Sequence, residues 1–167
     1  MERVLKHNVR QTPSFLLDTA DFFMLKSVNN ISSGSLLVTL DVSSLYTSIP
    51  HSDGLSAVRS FLTPDNCPSS DGVFDLIKFV LEHNVFSFGD KLYLQKHGTA
   101  MGSKMTPQYA NLFMARLEND FLNGCSLKPD LYLRYIDDIF LIWPHGDDSL
   151  MEFHHQSNSH QSDYGIL

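Results

Sequence analysis

Three aspartates stand in apolar surroundings, where unpaired carboxylates are rarely found. Asp41 lies near the end of the apolar run 36–42, and Asp137 and Asp138 interrupt a second apolar run, 131–143. Burying an ionised carboxylate in a protein core is costly unless a partner compensates the charge. We therefore expect the charges of the three side chains, at the ends of buried strands, to be compensated by a common partner.

A divalent cation would compensate three carboxylates that share one site. If the two apolar runs form neighbouring strands, Asp41, Asp137 and Asp138 converge at one rim of a sheet, where close like charges need a cation. Mg2+ suits such a site, with Mn2+ as the second candidate, because Mg2+ takes one or two carboxylates together with water and phosphate. Two such ions can clamp the attacking and leaving oxygens of a phosphoryl transfer. The alternative is structural, since Asp-Asp is an ordinary turn pair and an aspartate after a strand often caps the next segment.

The elements around these aspartates predict an α+β fold. Short β-prone runs alternate with segments whose apolar residues recur at helical spacing. Two of the short runs flank Gly89-Asp90, as the strands of a hairpin would. The predicted strands are 36–42, 85–88, 91–95 and the two halves of 131–143. The predicted helices are 15–25, 53–62, 73–83 and 107–122.

Composition and charge limit the classes of protein that the chain can represent. With 167 residues, 43% of them hydrophobic, it has the apolar material for one domain or part of a larger one. A net charge of −7 makes it a poor candidate for holding nucleic acid by charge alone. Cys67 and Cys125 are too few for a disulfide framework. Because no signal peptide or membrane span is visible, we expect a soluble, intracellular protein.

Three segments around the aspartates resemble the palm motifs of reverse transcriptases, in the same order along the chain. Residues 39–47 (TLDVSSLYT) resemble motif A, 98–113 (GTAMGSKMTPQYANLF) motif B and 134–140 (RYIDDIF) motif C. The segments SLYTSIP, GTAMG, TPQYANLFM and YLRYIDDIF are similar to segments of the reverse transcriptases of Penelope-like retroelements. The resemblance covers most of residues 13–145. It implies a partial polymerase palm, an antiparallel sheet with helices packed on one face.

The resemblance implies a role for each aspartate and for the segment after Asp41. Asp41 and Asp137 would bind two metal ions, and Asp138 would be the third acidic residue of the site. The backbone of Val42 would approach a metal or the triphosphate of the incoming nucleotide. Tyr46 matches the sugar-gate position, where its ring would exclude a ribose 2′-hydroxyl. The alternative for Tyr46 is an ordinary half-buried aromatic residue.

Motif B implies two further contacts with the substrates. Gly102, in the loop before Thr106, would underlie the nascent base pair and the template; the alternative is a simple loop glycine. Asn111 would face the active site, in agreement with a helical pattern that places it away from the apolar face of 107–122. The alternative for Asn111 is a structural hydrogen-bonding residue.

The function implied by the resemblance is RNA-directed DNA polymerisation, with an RNA template, a DNA primer and dNTPs as partners of the full-length family. The stretches before Asp41 and after Asp138 are short, so we expect fingers and thumb to be largely missing and activity of this chain alone to be weak or absent. A non-catalytic, retroelement-derived remnant or interaction module is the alternative. An unrelated metal-dependent phosphohydrolase or nuclease is the third hypothesis.

The expected organisation has three parts. Residues 1–35 form a pre-motif A segment, 36–145 the palm core with motifs A, B and C, and 146–167 a polar, disordered tail. A truncated sheet would expose apolar surface and favour self-association. No membrane contact is expected, and the resemblance implies the nucleus as the cellular location.

Overall fold

The chain folds into a mixture of helices and antiparallel strands. The computed structural model describes residues 1–24, 31–64 and 67–163. The helices within these ranges are α1 Glu2–Val9, α2 Thr19–Met24, α3 Leu45–Ser48, α4 His51–Phe61, α5 Ser70–Glu82, α6 Thr106–Gly124 and α7 Asp147–Asp163. The strands are β1 Leu36–Asp41, β2 Val85–Phe88, β3 Lys91–Leu94, β4 Leu131–Tyr135 and β5 Asp138–Trp143. None of these helices is long and apolar enough to cross a bilayer.

Strands β1, β5 and β4 form an antiparallel sheet in that order. The central strand β5 is the most deeply buried, because Ile139, Leu141, Ile142 and Trp143 are each at most 3% exposed. The β-branched and aromatic residues among them, Ile139, Ile142 and Trp143, fill a pleated, buried surface well. The sheet confirms the two apolar runs predicted as strands, and the predicted α+β class is confirmed with it.

Helix α6 is the central helix of the fold. It begins at Thr106, one residue before the predicted start, and Pro107 suits its first turn because proline lacks the N–H that a first helical turn leaves unpaired. Helices α1, α3, α4 and α7 pack against α6, and α5 packs against α4. Two polar side chains of α6, Asn111 and Glu118, are only 4% and 3% exposed and bond to Arg134 of strand β4. These polar contacts join α6 to the sheet.

Most of the remaining predicted elements are also confirmed, with small shifts at their ends. The helices predicted at 53–62, 73–83 and 107–122 correspond to α4, α5 and α6. The predicted hairpin corresponds to β2 and β3, which pair with each other in a separate two-stranded sheet. Both strands of this hairpin are exposed along their whole length.

The helix predicted at 15–25 differs from the structure at its start. Helix α2 begins at Thr19 instead of residue 15, because residues 14–16 run beside β4 and are held there by backbone hydrogen bonds. Arg134 N donates to Ser14 O at 2.6 Å, and Leu16 N donates to Arg134 O at 3.0 Å. The end of the predicted helix, Leu25, lies outside the described residues. Helix α1 is a further element that the sequence pattern did not indicate.

The expectation of a disordered tail is wrong for residues 147–163, which form helix α7. One deeply buried aromatic anchors the helix: Phe153 is 4% exposed, and its ring centroid lies 4.7 Å from that of Trp143 and 5.1 Å from that of Phe121. Asp147 and Asp148 in the first turn favour the helix through its dipole. The last residues of the predicted tail, 164–167, lie outside the described residues.

Candidate active site

The register of the sheet brings the three aspartates to one edge. Asp41 ends β1 and lies directly opposite Asp138, the first residue of β5. Directly opposed residues of an antiparallel pair point to the same face, with Cβ atoms about 4.5–5.5 Å apart. Beyond this pair, Val42 N donates to Asp137 O at 3.0 Å, which ties the turn of the β4–β5 hairpin to the end of β1. The backbone therefore brings Asp41, Asp137 and Asp138 to the same edge of the sheet, and the convergence of their carboxylates on one point stays a prediction.

The donor set at this edge fits a hard divalent cation. All three groups are carboxylates, the oxygen ligands that Mg2+ and Mn2+ accept. Asp41 and Asp138 are exposed and Asp137 is half-buried, so water and phosphate oxygens have access to the same place. Across the described residues, no group of three His, Cys, Asp or Glu side chains forms a ready-made metal cluster. Joint ligation would thus require the aspartate side chains to turn toward a common point.

Tyr46 lies close to these carboxylates on the short helix α3. Ser44, which precedes the helix, has a left-handed backbone with φ of 52°, and this turns the chain sharply after β1. The Tyr46 side chain is half-buried. Burial raises the pKa of its hydroxyl, and the nearby groups of Asp137 and Tyr135 raise that pKa further.

The loop before α6 is fastened to the segment that carries Tyr46. Thr99 N donates to Tyr46 O at 2.7 Å, and Gly98 N donates to Ile49 O at 3.0 Å. Gly98 has a φ of 67°, and a Cβ there would lie 2.5 Å from the carbonyl oxygen of Thr47. Glycine is required at this position, because both the left-handed backbone and the close approach exclude a side chain. Motifs A and B are therefore joined by direct backbone contacts.

Gly102 and Val42, both predicted to approach the substrates, lie in different surroundings, since Gly102 is exposed and Val42 is buried. Gly102 is exposed, and a Cβ at that position would have open space around it, so the local geometry does not demand glycine. The Val42 side chain is 4% exposed, and its N–H is engaged by Asp137. A contact of Val42 with a metal would thus fall to its carbonyl oxygen.

Asn111 does not face open space, contrary to the expectation from its helical pattern. Its side chain is 4% exposed, its Oδ1 accepts from Arg134 Nη1 at 2.6 Å, and its Nδ2 donates to Pro107 O at 2.8 Å. These contacts support the structural alternative for Asn111, a hydrogen-bonding residue, and its role in the active site stays a prediction. The pattern misled because α6 is buried on the sheet side as well as on the helix side.

Arg134 and Glu118 are site residues that the sequence reasoning missed. They form an ion pair with side chains 0% and 4% exposed, and Glu118 also accepts hydrogen bonds from Ser14 and Tyr132. Arg134 Nη1 donates further to Ile136 O at 2.9 Å, within the turn that precedes Asp137. The signal was present: Arg134 is a charge in an apolar strand, which is the pattern that singled out the aspartates.

The sequence of the chain is similar to those of known reverse transcriptases. Residues 1–166 match the family described as Reverse transcriptase (RNA-dependent DNA polymerase). Telomerase reverse transcriptase of Mus musculus is 32% identical over 81 residues, which are 48% of this chain and 7% of that protein. Telomerase reverse transcriptase of Oryza sativa subsp. japonica is 37% identical over 71 residues, 35% of this chain and 6% of that protein.

A solved structure shares the fold. Apo telomerase from Candida tropicalis, truncated from the C-terminal domain, superposes with a TM-score of 0.72 at 16% identity. The superposition covers 98% of this chain and 37% of that chain, so the described fold corresponds to about a third of the larger protein. With the family match extending over residues 1–166, the chain belongs to the reverse transcriptase (RNA-dependent DNA polymerase) family.

Proposed function

We propose that this chain carries the catalytic carboxylates of an RNA-directed DNA polymerase, which adds dNTPs to a primer 3′-hydroxyl. The observation that carries the proposal is the pairing of Asp41 with Asp138 in the sheet, together with the Val42–Asp137 hydrogen bond. These backbone contacts support the proposal, because they bring the residues that carry the three carboxylates to the edge where two strands and a turn meet. The family match is consistent with that chemistry.

In the proposed reaction the primer 3′-oxygen attacks the α-phosphate of the dNTP, and pyrophosphate leaves. Asp41 and Asp137 would hold Mg2+, or Mn2+, and Asp138 would add negative charge beside them. Bound divalent ions supply stabilisation of the attacking and leaving oxygens. The chain itself contributes orientation, because the hydrogen-bonded strands and turn hold the carboxylates in one place. Template and primer would be gripped by other parts of a larger polymerase.

Three further residues receive proposed roles on their surroundings. The carbonyl of Val42 would approach a metal or the triphosphate, since its N–H is already bonded. Tyr46, half-buried and under the electrostatic influence of Asp137, would form the sugar gate. Gly102 would lie under the nascent base pair, and its open surroundings leave space for a base or template strand.

The finer assignment to Penelope-like retroelements is also a proposal. Its support is the wording of the motifs, SLYTSIP, GTAMG and YLRYIDDIF. A nuclear location agrees with the telomerase relatives named above. Self-association is proposed through exposed apolar side chains, among which Phe88 and Leu92 of the hairpin are 77% and 76% exposed.

Primer extension on an RNA template tests the proposed function. We expect the chain at high concentration to extend a DNA primer slowly in the presence of dNTPs and Mn2+, and Asp137→Asn to abolish extension. Extension that survives Asp137→Asn would refute the proposed role of that carboxylate. Negligible protection of the fold by Mg2+ against unfolding would favour the non-catalytic remnant, and phosphodiester cleavage without dNTPs would favour a nuclease.

A further inference from the structure

The turn that carries Asp137 contains a residue in an unfavourable backbone conformation. Ile136 has a φ of 57°, in the left-handed region that β-branched residues strongly avoid. Such a conformation persists only where surrounding contacts determine it. The contacts of the turn should therefore show which groups hold it.

Both peptide groups that flank Asp137 are held by hydrogen bonds. The carbonyl of Ile136, which precedes Asp137, accepts from Arg134 Nη1 at 2.9 Å. The carbonyl of Asp137 itself accepts from Val42 N at 3.0 Å. With the peptides on either side fixed, the direction in which the Asp137 side chain leaves the backbone is fixed as well. One of these two bonds joins backbone groups just beyond the paired ends of β1 and β5, and the other depends on a single buried side chain.

Arg134 is itself held in one orientation by helix α6. Its Nε donates to Glu118 Oε1, its Nη1 to Asn111 Oδ1 at 2.6 Å and its Nη2 to Asn111 O at 3.2 Å. Glu118 is fixed in turn by the hydroxyl of Ser14. The planar fork of a guanidinium can make these bonds at once, whereas a lysine ammonium acts as a point charge. The network thus runs from the core helix to the peptide before Asp137.

We propose that Arg134 is a positioning residue, which clamps the Ile136 carbonyl so that Asp137 is held in the geometry required for binding a divalent cation. The inference deepens the proposed function and rests on it, because it assumes that Asp137 is a metal ligand. Residues that orient a ligand from behind are a recurrent feature of metal sites, and their loss weakens metal affinity on the order of tenfold or more. Glu118 and Asn111 take part by orienting Arg134.

Mn2+ titration of the whole chain, followed by electron paramagnetic resonance, tests the clamp. Arg134→Lys keeps the charge opposite Glu118 but cannot reproduce the bonds to Asn111 and Ile136. We expect it to weaken Mn2+ binding by roughly tenfold at temperatures where circular dichroism shows it to be folded. The matched control is Phe153→Leu, which lowers the melting temperature through α7 and should leave Mn2+ affinity unchanged.

A second variant covers the case in which Arg134→Lys does not fold. Replacing both partners, as in Arg134→Met with Glu118→Met, removes the buried charges together, and such replacements are commonly tolerated. This double variant should fold and show the same loss of affinity. Wild-type affinity in either folded variant would overturn the inference. Asp137→Asn distinguishes failure of the clamp from failure of the proposed metal site. If Asp137→Asn also binds Mn2+ with wild-type affinity, the proposed metal site fails and not the clamp alone.

Discussion

Gly98→Ala is expected to destabilise the fold by forcing motif B away from motif A. The new Cβ would lie 2.5 Å from the Thr47 carbonyl oxygen and 2.6 Å from two other Thr47 backbone atoms. Backbone cannot rotate aside as a side chain can, so relieving the clash costs about 1–3 kcal/mol. The left-handed φ of 67° adds about 1–2 kcal/mol for a residue with a Cβ. The sum predicts a loss of about 3 kcal/mol in the free energy of unfolding.

Urea and thermal unfolding measure this loss directly. Trp143 is the single tryptophan of the chain and is fully buried, so its fluorescence reports unfolding of the sheet. For a chain of this size, a loss of about 3 kcal/mol lowers the melting temperature by roughly 6–12 °C. Gly102→Ala is the matched control in the same loop, because its Cβ meets nothing within 4 Å. If the two variants unfold within about 0.5 kcal/mol of each other, the predicted fastening of the loop to Thr47 is refuted.

Three further outcomes follow from the packing and charges of the chain. Gly54→Ala in α4 should unfold more readily, since its Cβ would overlap the hydroxyl of Tyr109. Gly72→Ala in α5, where a Cβ meets nothing, should instead raise the free energy of unfolding by up to about 1 kcal/mol through helix propensity. Equal effects of the two variants in urea unfolding would contradict this prediction. The raised pKa of Tyr46 stabilises the fold below its ordinary pKa of 10.0, and that contribution is lost as pH rises through the folded-state pKa. Absorbance titration of the wild type, compared with Tyr46→Phe, should show one tyrosine that ionises above its ordinary pKa. Asp137→Asn should lower the pKa of Tyr46 only part of the way to its ordinary value, because burial is the larger cause of the shift. In a polymerase-competent context Tyr46→Ala should admit ribonucleotides, and unchanged sugar discrimination in primer extension would count against the gate.

The aspartates could be predicted from the sequence because charge is conspicuous in an apolar strand. Asp41 ends one run of β-prone residues and Asp138 begins another. When two such runs pair antiparallel, these two residues come together. This inference needs only local pattern and the geometry of a sheet. The resemblance of the surrounding motifs to those of reverse transcriptases then indicated that these aspartates bind metal ions.

The surroundings of Asn111 could not be predicted, because its partner is remote in sequence. Helical periodicity separates an apolar face from a polar one, but α6 is buried against both the helices and the sheet. A polar residue on such a helix is satisfied by whatever the fold places opposite, here the guanidinium of Arg134. Helix α7 was missed for a related reason, since a single aromatic, Phe153, anchors a segment whose other residues are mostly polar.

Mn2+ binding to wild type and to aspartate variants tests the central claim, that Asp41, Asp137 and Asp138 form one cation site. Asp41→Asn and Asp137→Asn should each weaken binding on the order of tenfold or more, and Mg2+ should compete with Mn2+ in the wild type. Asp75→Asn, which removes an exposed carboxylate from α5, is the matched control and should bind as the wild type does. Equal Mn2+ affinity in all four proteins would contradict the account, because the shared edge of the sheet would then hold no metal.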